Sequence, residues 1–361
     1  MGHTVIDFID LKYYQDIYYL LVGMVLMVAC AYMFFMADFN FRPNTYIFIL
    51  VVTLFFVIWV LLGFRPISYA FGDMGNYYKS FLNAKYDRPL PLDSDPIFMG
   101  MINFYAVYLN EYLFFFSCLT VYLIPYYVAL KKIFNHNWVW GFVVVVALFS
   151  FYPFAVNGIR NGMAASLILL ALVYSGMFRY IIMLIAVLIH SSVALPAMAI
   201  ILASRYKNIN HYYYSWLFCV VLSLTVPSIG QIIANLGLVD DKLASYANAS
   251  AEEINSGRVG FRWDFLIYSI LPMVTAVYYR YKLNYIDRTF DYLMAIYLTC
   301  NGFWVICMQM PYTNRIAYLS WFIYGVVLAY PFIKSNALRF SNRYLSLLVI
   351  FQFAFTILMF N

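Results

Sequence analysis

Charged side chains are scarce in this sequence. Asp, Glu, Lys and Arg make up 11% of its 361 residues, whereas about 25% is usual for a soluble domain. Those that occur lie in the connections between apolar runs or at the ends of those runs, where they avoid the cost of burying a charge at bilayer depth. With 65% hydrophobic residues, the composition excludes an ordinary soluble domain and predicts a polytopic membrane protein.

Cysteine is also sparse, and its placement excludes two common uses. All five cysteines fall in apolar runs, so we expect small buried side chains and neither a disulfide framework nor a Cys-x-x-Cys metal pair. No His-Glu-x-x-His motif, Walker loop or Gly-x-Ser-x-Gly elbow occurs, so we expect no metal and no other cofactor. The net charge of +6 is spread over short connectors without a continuous basic stripe, which argues against a nucleic-acid partner.

Long apolar runs are what the sequence has in abundance. A bilayer core needs about 20 apolar helical residues, and about eleven runs approach that length. We therefore predict an all-α integral membrane protein with a single domain over residues 1–361. The runs lie at about 17–36, 44–63, 112–130, 138–156, 163–178, 180–204, 214–234, 265–279, 291–310, 316–333 and 344–360.

Two connections between these runs are long, at 64–111 and 235–264. Long connections in a compact domain usually carry function. The connectors on one predicted side hold twelve basic and three acidic residues, a net charge of +9, which leaves −3 for the other side. The positive-inside rule then places both long loops outside, and the apolar stretch from Ile97 to Asn110 is expected to form an interfacial helix in the first.

His190 is the one residue within the apolar runs that titrates near neutral pH. Its run, 180–204, lies between Arg179 and Arg205, which are both assigned to the basic side of the membrane. A return to the same side would need two crossings, and the run is too short for two. We predict two half-segments that meet near His190, forming a re-entrant hairpin whose tip is buried in protein or lines a wet cavity.

Two outward connections contain further candidate residues. Arg160 stands at the start of a predicted helix, where the macrodipole disfavours a cation. An anionic ligand would explain it, and contact with lipid headgroups is an equally good explanation. In the first long loop, Asp73 precedes Asn76 and Tyr77, a combination suited to sugar binding. The alternative is that Asp73 and the later Asp95 only cap turns or short helices.

Three more arginines stand beside the remaining outward segments. Arg258 and Arg262 are four residues apart at the end of the second long loop, where two guanidinium groups would suit a diphosphate, although headgroup contact fits equally well. Arg315 begins another predicted helix, in the same unfavourable dipole position as Arg160. Together with one carboxylate and one imidazole, these cations indicate a lipid-linked anionic substrate.

A family resemblance covers about residues 65–330. The order Asp73-x-x-Asn76-Tyr77, Ile159-Arg160-x-x-Met163-Ala164, Ile189-His190-Ser191-Ser192 and Arg315-x-x-Tyr318 resembles the EpsG-like branch of the Wzy polysaccharide polymerases, which are similar to glycosyltransferases of the GT-C class. One departure is Asp95-Pro96, where that family often has Glu-Pro, which leaves the role of this carboxylate open.

The resemblance implies a polymerase of the bacterial inner membrane that joins undecaprenyl-diphosphate-linked oligosaccharides on the outer face. Donor and acceptor glycans, membrane lipids and a chain-length regulator are the implied partners. Arg160 and Arg315 would hold the diphosphate, with Arg258 and Arg262 as helpers. The glycans would be contacted by Asn76, Tyr77 and Tyr318. The general base would be either Asp73 or His190.

The reach of an outward loop favours Asp73 as the base over a residue at the tip of a buried hairpin. Two rival functions remain from the residues alone. A lipid-linked-sugar flippase would be expected to carry more charges inside its segments and internal repeats. A membrane O-acyltransferase could use His190 as its base, although its acyl donor usually arrives from the cytoplasmic side, where only short basic connectors are predicted.

Overall fold

The computed structural model describes residues 9–36, 42–235, 260–311 and 313–360. Within these ranges the chain is helical and contains no strand. The chain separates into two compact units, one formed by residues 1–190 with 332–361 and the other by residues 191–331. All the residues of the site described below, from Asp73 to His190, belong to the first unit.

Among its described residues, the first unit contains nine helices in its N-terminal part and one at its C-terminus. Side-chain caps fix several of their starts, because Asn44 accepts the backbone N–H of Ile47 and Asn110 accepts that of Leu113. The helices are α1 (Leu11–Phe35), α2 (Thr45–Gly63), α3 (Met74–Tyr86), α4 (Pro96–Tyr108), α5 (Glu111–Phe134), α6 (Trp138–Val146), α7 (Phe151–Val156), α8 (Ile159–Leu172), α9 (Gly176–Ile189) and, at the C-terminus, Ser341–Phe360, which is α16.

Helices α5 and α8 form the centre of the first unit. They pack against each other, α8 also packs against α9, and α2 lies against α5. A polar contact supports the α5–α8 pair, since the Ser166 hydroxyl donates to the carbonyl of Tyr122 at 2.5 Å. At the chain ends, α1 packs against α16, where Asn342 donates to the carbonyl of Met33 at 2.6 Å.

The first long connection is largely helical. Within 64–111 the structure forms α3 and α4 and a short 3-10 turn, Tyr69–Phe71. Helix α4 covers the stretch expected to form an interfacial helix, begins with Pro96 in its first turn and packs against α3, α5 and α9. The second long connection, 235–264, lies mostly outside the described residues.

The second unit is built around α14. Its helices are α10 (Ala194–Arg205), α11 (Ile209–Thr225), α12 (Ile229–Asn235), α13 (Trp263–Val277), α14 (Arg288–Ile306) and α15 (Thr313–Lys334), which ends three residues beyond the unit. Helices α10 and α11 both pack against α14. The buried side chain of Asn301 is paired here, since it accepts a hydrogen bond from the Trp216 indole at 2.8 Å.

Five helical stretches among the described residues are long and apolar enough to cross a membrane, which supports the membrane assignment but not the predicted count of about eleven. They are Leu11–Phe35, Thr45–Gly63, Glu111–Val146, Thr313–Lys334 and Ser341–Met359. Other predicted runs form shorter helices. The run 138–156 is divided between α6 and α7, and 214–234 between α11 and α12, so hydropathy overestimated how many runs are single long helices.

The predicted interruption of the run 180–204 is present at His190. Helix α9 ends at Ile189, His190 is extended with φ −153° and ψ 111°, and α10 begins at Ala194 after a short 3-10 turn. The boundary between the two units also falls directly after His190. The hairpin arrangement of the two half-segments stays a prediction.

Candidate functional site

The α7–α8 turn places Arg160 in the first turn of a helix. Gly158 occupies the N-cap position of α8, and Gly162 allows the turn to close, because a Cβ atom at Gly162 would lie 2.4 Å from the carbonyl oxygen of Phe154. Any larger residue would force α7 away from α8. The sequence Asn-Gly-Ile-Arg-Asn-Gly thus produces a tight corner that presents the Arg160 side chain.

A second arginine ties this corner to the end of α2. The side chain of Arg65 is buried, with 1% exposure, and donates to the carbonyl of Leu62 and to that of Val156, the last residue of α7. Burial lowers the pKa of Arg65 to about 10 against the opposing influence of the Tyr152 and Tyr14 hydroxyls. Arg65 therefore remains a cation at neutral pH.

Asp95 is the carboxylate that Arg160 contacts. Its backbone adopts the left-handed conformation, with φ 49°, just before Pro96 begins α4, and a non-glycine residue in that region is strained. The side chain is 2% exposed, and its Oδ2 atom lies 2.5 Å from Nη1 of Arg160. A buried carboxylate needs a partner of this kind.

His190 meets the same carboxylate oxygen. Its Nδ1 atom lies 3.5 Å from Oδ2 of Asp95 and is buried without a hydrogen bond. The imidazole as a whole keeps 14% exposure. The helix break at the end of α9 therefore brings a histidine and an arginine, 30 residues apart in the numbering, onto one aspartate.

Tyr77 completes this group, which we term the Asp95 cluster (Tyr77, Asp95, Arg160 and His190). The Tyr77 hydroxyl accepts a hydrogen bond from Nε of Arg160 at 3.1 Å. The guanidinium carbon also lies 5.3 Å from the centre of the Tyr77 ring and 5.6 Å from that of Phe98, distances typical of cation–π contact. Tyr77 is thus a buried partner of Arg160 in this structure.

Asp73 lies beside the cluster without joining its hydrogen bonds. Its backbone N–H donates to the side-chain oxygen of Asn157 at 2.9 Å, which links the start of α3 to the α7–α8 turn. Gly72 makes this approach possible, since its φ is +63° and a Cβ atom there would lie 2.3 Å from the same oxygen. Asp73 is half-buried, and its negative charge attracts the guanidinium of Arg160. The nearby Asn76 is exposed.

Two of the candidate arginines, Arg262 and Arg315, belong to the second unit. Arg262 makes two hydrogen bonds to its near neighbour Asp264, at 2.9 and 2.6 Å, and these bonds lower the pKa of Asp264. Two of the Arg262 donors are thus paired with Asp264 in this structure, and its role as a diphosphate helper stays a prediction. Arg315 is exposed in the first turn of α15 and acts electrostatically on Tyr318. Arg258 lies outside the described residues.

The chemistry available to the Asp95 cluster follows from its donors and acceptors. Neither hydrogen bond of Arg160 uses its Nη2 group, so this edge of the guanidinium is the one suited to an anionic ligand. The carboxylate beside Nδ1 of His190 can select the tautomer in which Nε2 accepts a proton. Among the described residues, no group of three His, Cys, Asp or Glu side chains is placed to hold a metal.

Sequence reasoning left the role of Asp95 open and missed Arg65. Asp95 stands in Asp-Ser-Asp-Pro, a common turn sequence, and its partners Arg160 and His190 are far away in the chain. The only signal was its position, since the related family often has Glu-Pro there. Arg65 follows directly on an apolar run, as a headgroup-contacting arginine also would, so nothing in the sequence marked it as buried.

No curated protein and no solved structure matches the chain. A family model does match, over residues 46–361, which includes the whole Asp95 cluster and the candidate residues of the second unit. This match covers most of the chain, and the chain therefore belongs to the EpsG family.

Proposed function

We infer that this membrane protein is a polysaccharide polymerase, a glycosyltransferase that joins undecaprenyl-diphosphate-linked oligosaccharide units on the outer face of the bacterial cytoplasmic membrane. The observation that supports this most is the Asp95 cluster, in which one buried carboxylate contacts both Arg160 and His190. A cation for a phosphate and an oriented imidazole for a hydroxyl are the two groups that such a transfer needs. Membership of the EpsG family agrees with this chemistry.

The reaction joins two lipid-linked glycans. A hydroxyl oxygen of the acceptor attacks the anomeric carbon of the donor, a new carbon–oxygen bond forms, and the bond from that carbon to the diphosphate oxygen breaks. The acceptor hydroxyl gives its proton to a base, and undecaprenyl diphosphate leaves with the bonding electron pair. The protein must therefore supply a base for the proton and positive charge for the leaving group.

His190 is the base in this proposal, and Asp95 is its positioning residue. An aspartate next to Nδ1 of a histidine holds the ring in the tautomer whose Nε2 can take a proton, and it stabilises the imidazolium that forms. The 3.5 Å separation is longer than a good hydrogen bond, but such contacts often shorten when substrate binds. Asp73, the alternative base, makes no comparable contact with a histidine in the described residues.

Arg160 is the residue proposed to hold the diphosphate. Its Nε and Nη1 atoms are held by Tyr77 and Asp95, which fixes the plane of the guanidinium in advance and aims the remaining edge. A fixed fork stabilises developing negative charge without the cost of reorganising in the transition state. Arg315, at the start of α15, is proposed as a second cation, and Asn76, Tyr77 and Tyr318 as glycan contacts.

Purified protein in liposomes with lipid-linked repeat units as the only substrate would test this proposal. We expect a ladder of longer lipid-linked glycans and one released undecaprenyl diphosphate for each new linkage. A transporter would move the substrate across the bilayer without lengthening it, and an acyltransferase would leave chain length unchanged. Either of these results would contradict the polymerase assignment.

A further inference from the structure

An aromatic groove runs along α2 where this helix packs against α5 and the start of α6. One face of α2 provides Phe48, Phe55, Phe56 and Trp59, and the opposite wall includes Tyr127 and Trp138. The cavity has a volume of about 1140 Å³, slightly above the usual range for small-molecule sites of roughly 300–1,000 Å³. Between Thr45 and Trp59 the groove extends roughly 21 Å at 1.5 Å per residue, longer than one leaflet of the hydrocarbon core, about 15 Å.

One end of the groove carries positive charge. Arg42 precedes α2 and Lys131 lies in the last turn of α5, and both side chains are exposed and line the groove. The Lys131 ammonium lies 5.7 Å from the centre of the Tyr127 ring, and this ring stands edge-on to Trp138 with centroids 4.9 Å apart. No Asp or Glu is among the described residues that line the groove.

We propose that this groove is a binding site for one anionic phospholipid, with its phosphate between Arg42 and Lys131 and an acyl chain along α2. An apolar channel with cations at a single end matches a molecule that has a hydrocarbon tail and an anionic head. Tyrosine and tryptophan rings at the charged end are typical of the headgroup level of a bilayer, where lysine and arginine attract anionic lipids.

This lipid site is distinct from the site of the proposed reaction. The charged end of the groove lies at the N-terminus of α2, whereas Arg65, just beyond its C-terminus, reaches the carbonyl of Val156 beside the corner that holds Arg160. The 19 residues of α2 extend roughly 28 Å. The two phosphate-binding ends are therefore separated by about the thickness of a bilayer core, and the groove lipid is not the diphosphate substrate.

Tryptophan quenching by brominated lipids tests the proposal without any glycan substrate, so its failure is independent of the polymerase assignment. The full-length protein is reconstituted in phosphatidylcholine with small amounts of lipid brominated on the acyl chain. We expect brominated phosphatidylglycerol to quench at concentrations about tenfold lower than brominated phosphatidylcholine, a difference of about 1.4 kcal/mol. Trp59→Phe, which removes a tryptophan of the groove, should remove most of the high-affinity quenching.

A charge-matched control separates the groove from general attraction to the protein surface. The double variant Arg42→Gln/Lys131→Gln should lose the tenfold preference, whereas Arg42→Gln/Lys132→Gln should keep part of it, because the Lys132 ammonium lies 4.0 Å from the Tyr174 ring and does not line the groove. Equal loss in both double variants would overturn the proposal. So would equal quenching by the two brominated lipids.

Discussion

Replacing Asp95 by asparagine is the perturbation that the site predicts most sharply. Asparagine keeps the size of the side chain but removes the charge that Arg160 and His190 share. The carboxylate is 2% exposed and Arg160 is 15% exposed, so the substitution leaves a largely buried cation without the carboxylate that it contacts. Such losses cost about 3–5 kcal/mol, and we expect about 3 kcal/mol because water can still reach part of Arg160.

The same substitution should also lower the rate of polymerisation. Without the carboxylate, nothing in the described contacts selects the His190 tautomer that can accept a proton at Nε2. Because general acid–base catalysis contributes on the order of 10²- to 10⁴-fold, we expect a rate loss in that range. At about 2 °C per kcal/mol for a chain of this size, the Tm in detergent should fall by about 6 °C.

Asp93→Asn is the matched control, because Asp93 is two residues away in the same turn and exposed. It should change neither the rate nor the Tm measurably. Asp95→Glu, which keeps the charge, should retain more activity than Asp95→Asn. The reasoning would be refuted if Asp95→Asn and Asp93→Asn had the same rate of chain lengthening and the same Tm.

The remaining predictions use the same reconstituted protein or intact cells. Arg160→Lys keeps the charge but loses the planar fork, so polymerisation should fall at least about 100-fold while the protein still accumulates in the membrane; a near wild-type rate would remove Arg160 from the diphosphate site. Burial lowers the pKa of Arg65 to about 10, so replacing this buried cation in Arg65→Met should change the Tm little. The rate should fall about tenfold, because Val156 loses the hydrogen bond that connects it to the end of α2. An unchanged rate would exclude this positioning role. Cysteines placed at 80–92 should react with an impermeant maleimide in intact cells and cysteines at 283–286 should not, and the reverse pattern would invert the proposed orientation.

The membrane character of the fold was predictable because it depends on composition along the chain. The predicted break at His190 was also confirmed, since it followed from the length of one run and the charges at its ends. Sequence reasoning was weaker where packing decides. A short helix such as α7 buries all its side chains within the protein, so an apolar run there need not be one long spanning helix.

The candidate site was predictable in its components but not in its connections. Arg160, His190 and Tyr77 stand out by type and position, yet the residue that joins the first two is Asp95, whose turn-like sequence gave no chemical signal. Its partners are brought to it by the tight corner at Gly162 and by the end of α9. Such contacts between distant parts of the chain depend on the tertiary fold, and neither the periodicity nor the hydropathy of the sequence carries information about them.

The most direct test of the central claim compares His190→Gln with Asp73→Asn in the purified polymerisation assay, measured as initial rates of chain lengthening on lipid-linked repeat units. If the Asp95 cluster provides the base, His190→Gln should lose at least about 100-fold, while Asp73→Asn should keep most of the wild-type rate. A normal rate in His190→Gln together with an inactive Asp73→Asn would contradict the account and move the base to the start of α3.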